Sequence, residues 1–316
     1  MRKENKTIRR NNRYTVLTDI KRNPFSYLLI IPTGLYTLLF GYLTLPYVFI
    51  AFQKFNYKTG LFGSEFIGIK NFAFFFDSPK FFEVSFNTIV LNFLFIVCGT
   101  TFAIFFAILL SETKGKLFSK ISQSTFLLPY FMSWIVVSYI VYILFASDYG
   151  LLNKAIIALG GKPVSWYSDP KYWRIILVLI RIWKDTGMSM VIYLAVITGM
   201  DGSLAEAARI DGASRRQVIR FITLPLLVPT ISILTLMSVG KIFYGDFGMI
   251  YAIIKDNGVL FPTTDVIDTY VFRALRKTGD PSQAMAVGVY QSMMGCIFVF
   301  ITNFIAKRKI EGGALF

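Results

Sequence analysis

Six polar or charged side chains stand inside otherwise apolar stretches of this sequence: Asn92, Arg181, Lys184, Asp185, Lys241 and Asp246. Such groups are costly at membrane depth and usually face a protein interior or a water-filled cavity. Arg181 and Asp185 are four residues apart, so on a helix they share one face and can pair. The set indicates either a buried structural ion pair or the polar lining of a path for a polar solute.

The sequence between the fourth and fifth apolar stretches, DGSLAEAARIDGASRRQVIRFITLPLLVPT, is patterned for two short helices. Ser203 and Glu206 have the S-x-x-E spacing of a capping box, which opens a helix. Gly212 suits the left-handed residue that ends one. An S-x-x-Q box at Ser214 predicts a second helix, interrupted near Pro225 because proline has no amide hydrogen. We expect this segment to fold as helix, glycine turn and helix.

Small and charged residues share the first of these helices. Ala207 and Ala208 are good helix formers with almost no side chain, so the surface of another protein could approach the backbone closely. The charged residues around them could orient such a contact; they are Glu206, Arg209, Asp211 and Arg215. The alternative is a surface helix whose charges are only solvated.

The amino-acid composition indicates that the six polar residues and the two-helix segment belong to a membrane protein. Of the 316 residues, 55% are hydrophobic and 16% are charged, and the mean hydropathy is +0.58; about 25% charged residues is usual for a soluble domain. The apolar residues cluster in six stretches, each long enough for a membrane-spanning helix of about 20 residues. These are residues 27–52, 85–110, 125–147, 172–200, 226–247 and 284–306. We therefore predict an all-α integral membrane protein with six transmembrane helices.

Basic residues are distributed unevenly between the two sides of this arrangement. The N-terminal arm and the segments on its side hold 18 Lys and Arg residues, against 11 on the opposite side. The richer side is cytoplasmic by the positive-inside rule, so both termini are predicted to be cytoplasmic. This topology and contact with anionic lipid explain the net charge of +15 without nucleic acid. The predicted organisation is a basic arm at 1–25, a transmembrane domain at 26–306 with a cytoplasmic loop at 201–225, and a tail at 307–316.

The sequence lacks the residues that several kinds of catalytic site require. The chain has no histidine, which excludes histidine-dependent triads and histidine-ligated zinc. Its two cysteines, Cys98 and Cys296, fall in predicted spans, so a disulfide framework is not expected. No G-x-x-x-x-G-K-[ST] sequence occurs, so no phosphate-binding loop of that type is present.

The segment EAARIDGASRRQVIRFITLPLLVP resembles the signature loop of permease subunits of binding-protein-dependent ATP-binding cassette (ABC) importers. The matching elements are Glu206-Ala207-Ala208, Asp211-Gly212-Ala213, Leu224-Pro225 and Pro229. IWKDTGMSMVIYLA before it, and FPTTDVIDTYVFRAL and MAVGVYQSMMG after it, are similar to polysaccharide-type sugar permeases of Gram-positive bacteria. One departure is Gly-Met-Asp-Gly at 199–202, where the wider pattern often has an Ile-Pro pair, and it leaves the entry into the first loop helix less defined.

The resemblance implies a type I ABC importer permease that moves an oligosaccharide. Its partners would be a second homologous permease subunit, two ATPase subunits or domains, and an extracellular sugar-binding protein. ATP and magnesium would bind in the partner ATPase, with no cofactor in this chain. The ATPase would dock on Glu206, Ala207, Ala208, Arg209, Asp211, Gly212, Ala213, Leu224 and Pro225. The six intramembrane polar residues would then be candidates for the sugar path.

Two other classes of protein compete with this interpretation. An ion-driven secondary transporter would suit the intramembrane Arg181 and Asp185, but such carriers usually contain internal repeats within one chain, and none is visible in these six stretches. An integral membrane enzyme would need a nucleophile with its base or a metal cluster, and the sequence shows neither. The importer permease is the preferred prediction.

Overall fold

The computed structural model describes residues 16–113 and 115–309. Most of the predicted basic arm and the 310–316 end of the predicted tail lie outside these residues. The first elements are α1 Val16–Arg22, α2 Pro24–Thr37, a π-helical turn Leu38–Tyr42, a 3-10 helix Leu45–Phe52, β1 Gln53–Lys54, α3 Gly60–Gly63, β2 Glu65–Phe66, α4 Lys70–Phe76 and α5 Phe81–Ser111. β1 and β2 pair antiparallel, with Gln53 opposite Phe66.

The middle of the chain holds the two functional groups found in the sequence. Its elements are α6 Lys116–Leu127, a 3-10 helix Leu128–Phe131, α7 Trp134–Phe145, α8 Leu151–Ala158, 3-10 turns Trp166–Ser168 and Pro170–Tyr172, α9 Trp173–Thr198, α10 Gly202–Ile210, α11 Arg215–Val218 and a π-helical turn Ile219–Thr223. The last elements are α12 Leu224–Val239, α13 Phe247–Ile254, α14 Phe261–Thr264, α15 Ile267–Thr278 and α16 Pro281–Lys309.

Among the described residues, four helices are long and apolar enough to cross a membrane. They are Pro24–Phe52, Phe81–Ser111, Arg215–Val239 and Pro281–Arg308, and the bent pair Lys116–Phe131 with Trp134–Phe145 makes a fifth if it is one span. Helix α9, predicted as the fourth span, has 26 residues but carries Arg174, Arg181, Lys184 and Asp185. The structure thus supports a multi-span helical protein, and the number six stays a prediction.

The stretch 125–147 does not form the single continuous helix that was predicted. The chain bends by 99° between Phe131 and Trp134. Pro129 lies in the 3-10 turn before the bend, where its missing amide hydrogen weakens the helix. Ser133 then starts α7 by accepting a hydrogen bond from the Val136 amide at 3.3 Å.

The predicted interruption near Pro225 is also wrong, because the helix continues through it. Helices α11 and α12 are joined by the π-helical turn Ile219–Thr223, and the whole helix runs from Arg215 to Val239. Pro225 stands in the first turn of α12, where the wider π turn tolerates a residue without an amide hydrogen. The fifth stretch ends earlier than predicted, at Val239 rather than at residue 247.

Helix α9 is central to the packing, and the helix with which it packs most extensively is α5. One buried cluster joins α5, α7, α9 and α13 around Trp173 and Met249. A second joins α5, α9 and α12 around Met190, Tyr193 and Leu227. A third cluster packs α4, α5, α15 and α16 against the turn that follows α12. Helix α9 therefore positions the helices on both sides of the polar residues it carries.

The closest approach to α9 is at Gly187. A Cβ atom there would lie 1.9 Å from the carbonyl oxygen of Phe126, at the end of α6. No side chain fits in that space. The bend between α6 and α7 can therefore pack against α9 only because residue 187 is a glycine.

We predict that Gly187→Ala destabilises the protein by about 1–3 kcal/mol, the usual cost of overpacking, although Ala normally favours a helix over Gly. The measurement is thermal unfolding of the purified protein in detergent. The matched control is Gly288→Ala in α16, where a Cβ atom would meet no described atom within 4 Å. Equal unfolding temperatures for the two variants would contradict this account of the bend.

Candidate functional site

Three charged side chains form an ion cluster between α9 and the chain that follows α12. The Nε of Arg181 lies 2.6 Å from an Oδ2 of Asp185, so the pair expected from their spacing is present. An Nη1 of Arg181 also donates to Oδ2 of Asp246. The other Asp246 oxygen caps α13 by accepting from the Met249 amide at 3.0 Å. Arg181 therefore ties α9 to the α12–α13 connection as well as to its own helix.

Lys184 supports the bend rather than lining an open path. It is 6% exposed, and its Nζ donates to the Tyr130 carbonyl oxygen at 2.8 Å. The ammonium also lies 4.9 Å from the centre of the Trp134 ring, a distance at which a cation is attracted to an aromatic face. Lys184 thus satisfies a carbonyl that the broken helix leaves free.

Asn92 holds the end of α12. Its side-chain amide donates to the carbonyl oxygens of Ile242 at 3.1 Å and Tyr244 at 2.9 Å. These carbonyls follow the last residue of α12, where the helix no longer supplies them with donors. The amide group of Asn92 is therefore engaged with protein, although the residue borders the groove described next.

An open groove of ≈ 470 Å³ lies between α5, α9 and α12. Of the six intramembrane polar residues, Asn92, Arg181, Asp185 and Lys241 line it, whereas Lys184 and Asp246 do not. Other lining residues supply aromatic faces and hydroxyl groups: Phe95, Tyr130, Thr100, Thr186, Ser189 and Ser238. Hydroxyl groups beside aromatic faces can hold a solute that carries both ring faces and hydroxyls.

Asp268 and Gln291 were not singled out from the sequence, yet they fix the turn beside this groove. Asp268 accepts from the Gly245 amide at 2.6 Å and from the Gln291 side chain at 3.0 Å. Gln291 also donates to the Phe243 carbonyl oxygen at 2.8 Å. Each residue stands alone in its own segment, so no spacing in the sequence linked it to a turn more than twenty residues away.

The 201–225 loop has the predicted helix–turn–helix form, with one different cap. Asp201, not Ser203, caps α10 by accepting from the Ser203 amide at 2.9 Å. The predicted box between Ser203 and Glu206 is wrong because Gly202 is already helical, which places Ser203 inside the first turn. The hydrogen bonds from Ser203 hold the pKa of Asp201 below its usual value. This cap therefore stabilises the helix above the ordinary aspartate pKa and is lost as the pH falls.

The turn and the second cap match the prediction. Gly212 has φ of 87°, the left-handed conformation that favours glycine. Ser214 and Gln217 form a reciprocal capping box, in which the Ser214 amide donates to Gln217 at 2.7 Å and the Gln217 amide donates to Ser214 at 3.4 Å. The loop is thus built from helices with defined ends.

Residues of this loop divide into an inner and an outer face. Ala205 and Val218 face a small cavity against the ends of α5 and α9, and Arg215 lies 3.8 Å from Glu112, the residue directly after α5. The exposed residues include Glu206, Ala207, Arg209, Asp211, Gly212 and Pro225, whereas Ala208, Ala213 and Leu224 are half-buried. Ile210, which sequence reasoning missed, is 86% exposed at the end of α10.

The part of the chain that the structure describes contains no cluster of metal-ligating residues. Within residues 16–113 and 115–309, no group of three or more His, Cys, Asp or Glu residues lies close enough together to hold a metal ion. The arrangement instead provides a polar groove between long helices, a cation anchored to two carboxylates, and a separate structured surface at one end of α12.

We predict that Arg181→Met destabilises the protein more than Asp246→Asn does. It leaves Asp246 without a cation and Asp185 with only Lys184 at 4.0 Å, and a buried charge that loses its partner is costly. The triple variant R181M/D185N/D246N should recover much of the loss. Thermal unfolding in detergent measures the order. As a control, Lys171→Met breaks an exposed pair with Asp169 and should change stability by less than about 1 kcal/mol. A triple variant less stable than Arg181→Met would show that the charges do not stabilise one another.

Comparison with known proteins gives a consistent result. Residues 99–311 match the family described as the binding-protein-dependent transport system inner membrane component. The chain is 34% identical over 305 residues to the polygalacturonan/rhamnogalacturonan transport system permease protein YteP of Bacillus subtilis, covering 96% of this chain and 94% of that one. It is 27% identical over 250 residues to the lactose transport system permease protein LacF of Rhizobium radiobacter, covering 78% and 82%.

A solved structure shares the fold. A chain of a bacterial ABC transporter involved in the import of the acidic polysaccharide alginate superposes with a TM-score of 0.84 at 29% identity. The match covers 93% of this chain and 99% of that chain. With apolar helices long enough to span a bilayer, a signature loop with capped helices and these relatives, the chain belongs to the inner membrane components of binding-protein-dependent transport systems and is a multi-pass sugar permease of the ABC transporter class.

Proposed function

We propose that this chain is one transmembrane subunit of an ATP-driven oligosaccharide importer, and that it forms half of the translocation path. A second, homologous permease would supply the other half, two ATPase subunits or domains would bind ATP and magnesium, and an extracellular protein would deliver the sugar. The names of several relatives support a saccharide substrate, among them the permeases for lactose and for polygalacturonan or rhamnogalacturonan.

The observation that carries this proposal is the unbroken helix from Arg215 to Val239. Its cytoplasmic end belongs to the capped loop, and the residues at its other end, Met237 and Ser238, line the groove. An ATPase that moves the loop would therefore move a wall of the groove through one helix. The exposed Glu206, Ala207 and Ile210 on α10 offer the docking surface.

The same proposal assigns an orientation to the chain. Loop 201–225 and both termini would be cytoplasmic, which fits the excess of Lys and Arg on that side. The connections that contain α8 and α13 would then face the extracellular binding protein. Six spans would require α9 and the bent pair α6–α7 each to cross the membrane, with the charges of α9 turned toward the groove.

For the docking surface, we predict that Glu206→Ala and Ile210→Ser each weaken association with the ATPase about fivefold or more, since truncation of an interface hot spot costs more than about 1 kcal/mol. Glu206 does not cap α10, so neither change should lower the unfolding temperature. Co-purification of the ATPase and hydrolysis stimulated by the loaded binding protein are the measurements. Leu159→Ser, at a residue 89% exposed after α8, is the matched control for association with the ATPase, because that connection is assigned to the side of the binding protein. Full association and full stimulated hydrolysis in both loop variants would remove α10 from the coupling role.

For the orientation, we predict that a cysteine placed at Ser214 is protected from a membrane-impermeant thiol reagent in intact cells, while one placed at Lys162 reacts. Both positions are exposed in the chain itself, so a difference between them reports the membrane side. Cys98 and Cys296 are first replaced by serine. Labelling at Ser214 with protection at Lys162 would reverse the topology.

A further inference from the structure

Among the charged residues that line the groove, one has no ion-pair partner. Arg181 and Lys184 are matched by Asp185 and Asp246, which lie within ion-pair distance of them. Lys241 also lines the groove, and its side chain has no ion pair or hydrogen bond with any described residue. Asp268, beside the groove, accepts from Gly245 and Gln291 and forms no ion pair with Lys241. The groove is therefore lined by one lysine without an ion-pair partner, and that residue is exposed.

Lys241 lies well inside the length of the long apolar helix α5. Lys241 is next to Ile242, whose carbonyl oxygen is held by Asn92. Asn92 stands eleven residues inside α5, which is about 16 Å along the helix at about 1.5 Å per residue. An ammonium so far from the helix end is costly unless it meets water or an anion. The groove is open, so a transported solute can reach it.

The other lining groups restrict what that anion is. Thr100 and Ser189 offer hydroxyl groups, and Phe95 and Tyr130 offer aromatic faces. Together they suit a sugar ring, which has hydroxyls on its edge and C–H groups on its faces. Arg181 has no spare charge for such a solute, because two carboxylates already neutralise it. Lys241 is the cation left to bind a charged group of the substrate.

We propose that Lys241 selects an acidic saccharide by pairing with a sugar carboxylate in the groove. This inference rests on the proposed import of oligosaccharides and adds the charge of the substrate and the residue that reads it. The pair is a charge-assisted hydrogen bond, so its loss is large enough to measure in transport. Lysine acts as a point charge on a flexible stem, so arginine at this position retains the attraction.

The experiment uses the complete transport complex in proteoliposomes, with ATP inside or outside as its orientation requires. The probes are a trisaccharide of uronic acids and its carboxyl-reduced, neutral counterpart. Lys241→Gln should raise the KM for the acidic trisaccharide about tenfold and leave uptake of the neutral one unchanged. Lys241→Arg should keep at least half of wild-type uptake of the acidic trisaccharide. The matched control, Lys120→Gln, removes an exposed lysine of α6 outside the groove and should behave as wild type. Hydrolysis stimulated by the loaded binding protein should be retained in all three variants.

Distinct outcomes would overturn the proposal. One is that Lys241→Gln takes up the acidic trisaccharide as well as wild type does, and another is that it loses uptake of both trisaccharides equally. A third is that the Lys241→Gln variant loses the second permease on purification, which would show that Lys241 pairs with that subunit. A wild-type complex that moves only the neutral trisaccharide also overturns it. If wild type moves only the acidic one, the contrast between the Gln and Arg variants decides. Failure of the proposed function would give a different result, because the wild-type complex would then show no ATP-dependent uptake of either trisaccharide.

Discussion

Proline cannot donate the backbone hydrogen bond that an α-helix needs, and Pro225 stands where the 201–225 loop joins the apolar helix α12. The chain widens into a π-helical turn at Ile219–Thr223 directly before it, and the helix continues to Val239. A kink at this point would have separated the loop from the groove mechanically. Because the helix is continuous, the end of the loop and the groove wall belong to one helix, which supports the proposed coupling.

The ion cluster gives the groove its other fixed side. Arg181 on α9 holds both Asp185 and Asp246, so α9 and the chain leaving α12 are linked across the protein interior. Hydrogen bonds from three other helices hold the same turn. Asn92 of α5 and Gln291 of α16 donate to its carbonyl oxygens, and Asp268 of α15 accepts from its Gly245 amide. Movement of α12 toward or away from α9 would therefore have to change these few polar contacts as well as the buried cluster around Leu227.

Local signals in the sequence predicted local features well. The Ser214 box and the left-handed Gly212 depend only on neighbouring residues, and both are present. The pairing of Arg181 with Asp185 follows from helical spacing alone. Pro129 was a local signal for the bend after Phe131 that the prediction did not use. How the bend packs could not be predicted locally, because it depends on Gly187 and Lys184 of a distant helix. Asp246 was recognised as polar, but its link to Arg181 required the fold.

The central claim is that the helix from Arg215 to Val239 moves as one body and carries the groove wall with it. Spin-label distances in the assembled complex, with and without trapped ATP, test this directly. One pair, at Arg216 and Met237, reports the length of the helix, and a second pair, at Met237 and Met188, spans the groove. The account predicts an unchanged first distance and a shifted second distance when ATP is trapped. A first distance that changes, or a second that does not, would contradict it.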